Sequence, residues 1–330
     1  MHLASISNDL FGVTVVVYSL AMLAYAAEFA FVRRPAPLVA GVPAQAAVPA
    51  RVLVGAGGSY VEEPPAPVGE ASSRTPHPWA ERIGGIAVGL TVCGWLVHLA
   101  EVVTRGVAAG RVPWGNMYEF SSAVALMAVG AFLVLLTRQP VRWLGVFVLL
   151  PVVLYLGLAG TVLYVGAGPL VPALNSYWIK IHVVAAITAT GTFMVGGVTT
   201  VLHLVRRRHD NQVAAGRRPQ WAGLAARMPS AQSLDRTTYR LIAFAFPVWT
   251  FAVIAGAIWA ESAWGRYWGW DPKETWSFIT WVLYAAYLHS RSTVAWRKAA
   301  PMVALLAFVG MLVNYYVINT VVAGLHSYAF

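Results

Sequence analysis

The sequence predicts an all-α fold: a polytopic integral membrane helix bundle of about eight transmembrane helices, with both termini on the extracytoplasmic face. Three observations predict it. Hydrophobic residues make up 58% of the 330 and charged residues 11%, with a mean hydropathy of +0.64, which is too apolar for a soluble globule. Apolar runs recur along the chain, most of them long enough to cross a roughly 30 Å hydrocarbon core at about 1.5 Å per helical residue. Lys and Arg fall very unequally between alternate loops.

The first apolar run, 10–32, has no Lys or Arg before it and ends at Arg33-Arg34. A cleavable signal shows the reverse order, so 1–32 is read as a permanent N-terminal transmembrane helix. Residues 33–82 turn to Pro, Ala, Gly, Glu and Ser, as in Glu63-Pro64-Pro65-Ala66-Pro67, and are expected to be a disordered cytoplasmic linker. His77 sits in it without a functional argument. The remaining 83–330 form one membrane domain with seven further runs: 83–104, 117–137, 143–165, 178–205, 241–260, 276–288 and 299–322. Hydrocarbon offers no partners to open backbone groups, so each run is assigned to a helix.

With the N-terminus outside, the cytoplasmic segments hold 18 of the 23 Lys and Arg. The outer segments hold only Arg105, Arg111, Lys180, Arg266 and Lys273. Such a bias sets the orientation. The net charge of +10 is thus a topological signal facing membrane lipids, and no nucleic acid partner is inferred from it. Cys93 is the single cysteine and lies in an apolar run, which excludes a disulfide framework, a CxxC pair, a cysteine zinc site and a CxxCH haem attachment within this chain.

The densest chemistry lies between 259 and 291. Trp259, Trp264, Trp268, Trp270, Trp276 and Trp281 stand there with Arg266, Asp271, Lys273, Glu274 and His289. Indoles suit both a membrane interface and a platform for a flat ligand, and this density exceeds what an interfacial belt needs. Asp271-Pro272-Lys273-Glu274 reads as a helix start, with Asp at N-cap, Pro at N1 and Glu at N3, so Asp271 is expected to cap rather than to act as an acid. Ionisable groups inside a membrane are functional candidates. His182 lies just inside the outer end of the fifth span and His326 just beyond the outer end of the eighth, at the level of the tryptophan loop. His289 lies at the far end of the seventh span. His98, beside Glu101, reads as a buried polar pair or a ligand-related group. Glu119 is an intramembrane acid without a visible partner, His203 and His209 are expected in a cytoplasmic loop, and His2 at the chain end carries no argument. An aromatic platform, two imidazoles, and Arg266 and Lys273 for carboxylates together match an iron porphyrin with its two propionates.

The stretch WGRYWGWDPKETWSFITWVLYAAYLHSR resembles the tryptophan-rich WWD signature of the cytochrome c assembly family, in the CcsA/ResC branch of the system II maturation pathway. PWGNMYEF, NSYWIKIH, YRLIAFAFP and GLHSYAF agree with it in the same order, so the similarity runs from about 83 to 330. The resemblance implies a haem-handling subunit that works with a ResB/CcsB-type membrane partner. It would move haem b, as a transient substrate, to the outer face of the plasma membrane and present it to a CxxCH apocytochrome c. Carried over, His182 and His326 match the outer-face iron ligands, and His289 matches a ligand of an inner site whose second histidine comes from the partner. Trp264, Trp268 and Trp270 match the platform. No catalytic residue is expected, and haem lyase activity would belong to the complex. Arg111 stands where relatives often carry histidine before the Pro-x-x-Asn segment. Two other classes compete. A membrane cytochrome b-like electron-transfer protein would set histidine pairs on facing helices at matching depth. A small-molecule transporter would show related halves and helices broken near the midplane, and no such repeat is visible.

Overall fold

The computed structural model describes residues 2–31, 78–169, 174, 176–225 and 227–326. His77 and the expected linker up to residue 77 lie outside the described residues; the last residues of that linker already belong to a helix. The secondary structure among the described residues is helical throughout. The helices are α1 (His2–Phe31), α2 (Pro78–Ala109), α3 (Met117–Arg138), α4 (Gly145–Thr161), α5 (Tyr177–Ala214), the short α6 (Ala222–Ala225), α7 (Ala231–Trp264), α8 (Pro272–Ser292), α9 (Ala300–Leu312) and the terminal turn α10 (Ile318–Thr320). A π turn, Val313–Val317, joins α9 to α10.

Seven of these segments are long and apolar enough to cross a membrane. They are α1, α2, α3, α4 with the 3₁₀ turn before it, α5, α7, and α9 together with the turns that extend it. The eighth expected span, α8, has 21 residues but carries Lys273, Glu274, His289 and Arg291 at its ends. It packs between α7 and α9 in the same bundle. The chain is therefore an all-α, multi-pass membrane protein.

Side chains settle how the helices alternate. Ser7 near the start of α1 reaches Glu101 late in α2, and Arg105 in α2 reaches Glu119 at the start of α3. His182 at the start of α5 reaches Ala252 late in α7, and Ser121 in α3 meets Tyr315 after α9. One end of the bundle therefore gathers the N-termini of α1, α3, α5 and α8 and the C-termini of α2, α4, α7 and α9.

The interior divides in two. One core joins α1 to α5 around Tyr25, Val129, Phe132 and Leu149. The other lies among α5, α7, α8 and α9 around Phe193, Ala245, Tyr284 and Ala304. Helices α5 and α7 contribute to both, and a cleft opens where the two cores meet, at the end just described.

Two sequence readings change here. Helix α5 continues without a break to Ala214, so His203 and His209 are helical rather than loop residues. His203 is buried and its Nδ1–H donates to the Ala231 carbonyl at 2.8 Å. Glu119 has partners after all: Arg111 grips it at 2.7 and 3.1 Å, and Arg105 adds a third bond at 3.1 Å. Both arginines precede it by a helix–loop connection, so the pairing depends on tertiary structure that periodicity does not show.

Candidate functional site

The site starts with the turn between α7 and α8. Helix α7 ends at Trp264, and Gly265 takes a left-handed φ of 72°, which a residue with a side chain adopts only at a cost. The chain then runs through Arg266–Trp270 and re-enters a helix at Asp271. The Asp271 carboxylate accepts from the Lys273 N–H at 3.1 Å, and Glu274 reaches back to the N–H groups of Gly269 and Asp271 at 2.8 and 3.1 Å. The expected capping box is present. Its bonds to Gly269 and Asp271 also hold the intervening Trp270 at φ 58°, a left-handed conformation rare for a bulky residue.

Asp271 does more than cap. Its Oδ1 also accepts from His326 Nδ1 at 2.8 Å, and its Oδ2 accepts from the Leu325 N–H at 2.8 Å. The C-terminal segment is thereby fastened to the start of α8. Burial raises the Asp271 carboxyl, but the Leu325 N–H and the His326 ring outweigh it and leave the group below the usual carboxylate range. Burial lowers the His326 imidazole below its ordinary value, against the opposing pull of Asp271. The result is a neutral ring with Nδ1–H engaged and Nε2 left over.

His182 reaches the same state by another route. Its Nδ1–H donates to the Ala252 carbonyl of α7 at 2.7 Å. A helical carbonyl is normally shielded by the side chain one turn on, which here is Gly256. A Cβ at that position would lie 2.6 Å from His182 Nδ1, so only glycine lets the ring come so close. Trp259 packs near both histidines. It is 1% exposed, nearly parallel to His182 at 6.5 Å between ring centroids and edge-on to His326 at 5.6 Å. Trp264 packs on Trp259 and on His326 at 4.7 and 4.9 Å.

Both imidazoles line the cleft, which holds about 1250 Å³ with its open mouth included. Its walls come from Trp114, Gly115, Asn116, Met117 and Phe120 before and within α3, from α5, from α7, from Tyr267, Trp268, Lys273 and Ser277, and from Asn314, Tyr315 and Asn319 around the π turn. Trp268 faces the cleft and meets Trp270 edge-on at 5.8 Å. Trp270 is 66% exposed. Arg266 faces Glu274 at 3.7 Å, and Lys273 Nζ donates to the Asn314 carbonyl at 2.9 Å. Burial pushes the Lys273 ammonium down to about 7, against Asp271, which raises it.

His289 stands apart, exposed near the last turn of α8, 18 residues along the helix from Asp271 or about 27 Å at 1.5 Å per residue. His98 is fully buried, with Nε2 2.9 Å from the Ser122 hydroxyl, Tyr18 on its other nitrogen at 3.3 Å, and Glu101 at 3.9 Å. The pair reading of His98 and Glu101 therefore fits: both ring nitrogens have neighbours within the bundle.

The donor set restricts the chemistry. Among the described residues no group of three or more His, Cys, Asp or Glu is placed to hold a bare metal ion. Two neutral imidazoles suit a metal whose remaining positions are filled by its own flat ligand. Metal-ligating histidines commonly donate their other N–H to a carbonyl or carboxylate, as His182 and His326 both do.

Comparison with known proteins decides the family. The sequence profile of the cytochrome C assembly protein family matches residues 114–326, a stretch that begins at Trp114 and ends at His326. The chain belongs to the cytochrome c assembly protein family. It is 33% identical over 257 residues to the cytochrome c biogenesis protein CcsA of Guillardia theta, covering 74% of this chain and 85% of that protein. It is 34% identical over 286 residues to the CcsA protein of Porphyra purpurea, with 75% and 89% covered. Among solved structures it resembles the cytochrome c haem lyase CcmF with a TM-score of 0.62 at 17% identity, a likeness of fold. That match covers 96% of this chain but 47% of the lyase, so the chain spans about half its length.

Within this family member, several cleft residues escaped sequence reading. Gly256 and the Ala252 carbonyl carry no signal in an apolar helix. Asn314 and Tyr315 reach the cleft through a π turn that hydropathy does not register. Trp114 and Asn116 were visible as part of PWGNMYEF, a segment that could have been placed at the site from its position just before α3.

Proposed function

We propose that this chain is the haem-handling subunit of a system II cytochrome c synthetase. Membership of the family gives it a role in cytochrome c maturation. In this reading haem b is a transient substrate, seated in the cleft with its iron between Nε2 of His182 and Nε2 of His326. The observation that carries the reading is the matched pair of histidines, each with Nδ1–H committed and each packed on Trp259 at the same cleft. Trp264, Trp268 and Trp270 supply the surrounding platform. His289 belongs to an inner site completed by a ResB/CcsB-type partner. The bias of Lys and Arg supports a plasma-membrane orientation with the cleft on the extracytoplasmic face and both termini there.

The chemistry asks little of the protein beyond placement. Each thioether forms when a cysteine S–H of CxxCH adds across a haem vinyl group, with no net oxidation and no leaving group. A nucleophile from this chain is unnecessary. Its task is to hold the macrocycle still beside the incoming peptide and to give up one iron ligand to the CxxCH histidine.

The test is an assembly assay in cells that lack their own cytochrome c maturation, expressing this chain with its partner and a CxxCH reporter. Covalent haem on the reporter should require His182 and His326 together. Full reporter maturation with both replaced by alanine would refute the proposal.

A further inference from the structure

At the end of the bundle away from the cleft, one corner gathers cations that the fold does not neutralise. Helix α5 ends there, α7 begins there, and residues 293–299 turn the chain from α8 into α9. The acids of this corner are already engaged. Asp210 accepts from Arg206 at 2.9 Å, and Asp235 accepts from Arg291 at 2.7 Å. Arg207 instead donates through Nη1 to the Lys298 carbonyl at 2.9 Å, which lays a cation of α5 against the turn. Arg297 donates through Nε to the Arg291 carbonyl at 3.4 Å. Among the described residues neither arginine is in an ion pair, nor is Lys298, and the first turn of α9 brings no acid.

The turn that carries these cations is braced. The Ser292 and Thr293 hydroxyls both donate to the His289 carbonyl, at 2.7 and 3.1 Å. The Trp296 and Ala299 N–H groups close successive turns onto the Thr293 and Trp296 carbonyls at 3.1 and 2.9 Å. On this frame Val294 is 82% exposed and Trp296 63%, with Arg297 and Lys298 exposed beside them. Part of the arrangement serves the fold, because a guanidinium at the last carbonyls of α8 complements the helix dipole. That contact uses one N–H of the Arg297 fork and explains neither Lys298 nor the bare indole. Exposed indole and aliphatic groups beside cations, where an apolar helix begins, match the membrane–water boundary. An acidic protein segment would answer the charge and leave Val294 and Trp296 unused.

We propose that this corner seats an anionic phospholipid, its phosphate held by Arg207, Arg297 and Lys298 and its glycerol backbone and upper chains lying along Trp296 and Val294. The seat is formed by α5, the end of α8 and the turn into α9. It lies at the opposite end of the bundle from the cleft and does not depend on the haem reading. The bound headgroup neutralises cations that otherwise repel one another, and it ties the end of α5 to the turn between α8 and α9.

The test is native mass spectrometry of the purified full-length chain in neutral detergent, with phosphatidylglycerol and phosphatidylcholine of identical acyl chains supplied in equal amounts. The wild type should retain phosphatidylglycerol about tenfold or more over phosphatidylcholine, since each cation near an anionic headgroup adds about fivefold. Arg297→Gln combined with Lys298→Gln should remove most of that preference, and Arg297→Lys combined with Lys298→Arg should keep it. Trp296→Ala should weaken retention of both lipids. Arg138→Gln combined with Arg240→Gln removes the same charge from α3 and α7 at the same end and should change nothing. Every substituted residue is exposed, and a melting curve in lipid-free detergent verifies that each variant has folded. An equal loss in the Arg138 and Arg240 variant would reduce the preference to overall charge and overturn the seat, as would an absent preference in the wild type. Displacement of the lipid by millimolar inorganic phosphate would make this a free-anion site. Displacement by poly-glutamate, with retention unchanged in Trp296→Ala, would make it a surface for an acidic protein. Either result would overturn the lipid assignment.

Discussion

His326 shows how much one side chain can depend on another. The Asp271 carboxylate caps α8, receives the Leu325 N–H and fixes the His326 ring through Nδ1. Asparagine is as good an N-cap as aspartate, so Asp271→Asn separates these roles. The variant should keep its thermal stability yet bind haem about 10–100-fold more weakly, the usual cost of losing a partner behind a metal ligand; an optical haem titration beside a melting curve reads both. Gly256→Ala tests the opposite side of the cleft. Its Cβ would fall 2.6 Å from His182 Nδ1, so the imidazole must leave the Ala252 carbonyl. Iron ligation in that variant should resemble His182→Ala, and an unchanged spectrum would show that the Ala252 contact is dispensable. At this scale the sequence revealed types and missed relations. His182, His326 and the cap at Asp271 stood out as residues, whereas the carboxylate-to-imidazole bond joins positions 55 apart and no local pattern encodes it.

Among the elements, α3 has a heavily fastened start. Glu119 takes Arg105 and Arg111 together with the Gly115 N–H at 2.9 Å, and Asn116 caps the helix through the Glu119 N–H. The same two arginines reach across to the carbonyls of Val165 and Gly168. The loop carrying Trp114 and the loop after α4 are thereby held on one buried carboxylate. Removing it in Glu119→Ala leaves two buried cations without their counter-charge, a loss of about 3–5 kcal/mol. The expected result is a large drop in the detergent-solubilised melting temperature, and a change within error would contradict the role given to this node. Arg111, which stands where relatives often carry histidine, thus has a structural task of its own here. Helix positions were legible because hydrocarbon demands long apolar runs. Helix ends were less so: α5 runs on to Ala214 because its polar C-terminal turns remain helical beyond the apolar stretch. The π turn at Val313–Val317 was invisible, since it changes hydrogen-bond register without changing composition.

The whole molecule is two cores sharing α5 and α7, with the cleft at one end of the seam. That placement suits a site that must open to a peptide at one membrane face while resting on a rigid bundle. The face is testable in isolation, because Ser262 and Ala214 are both exposed and lie at opposite ends of the bundle. In a Cys93→Ser background, Ser262→Cys should react with a membrane-impermeant thiol reagent added outside intact cells, and Ala214→Cys should react only after lysis. The reverse pattern would invert the topology. The all-α membrane class followed from composition and hydropathy alone, while the cleft required the three-dimensional meeting of α3, α5, α7, α8 and the C-terminal segment. The central claim is that one haem iron sits between His182 and His326. The most direct measurement is the optical and paramagnetic resonance spectrum of the purified, haem-loaded complex of this chain with its partner, compared with those of His182→Ala and His326→Ala. The account predicts a low-spin, two-imidazole signal in the wild type that is lost in each variant and restored by added free imidazole. Retention of that same signal in either variant, without added imidazole, would contradict it.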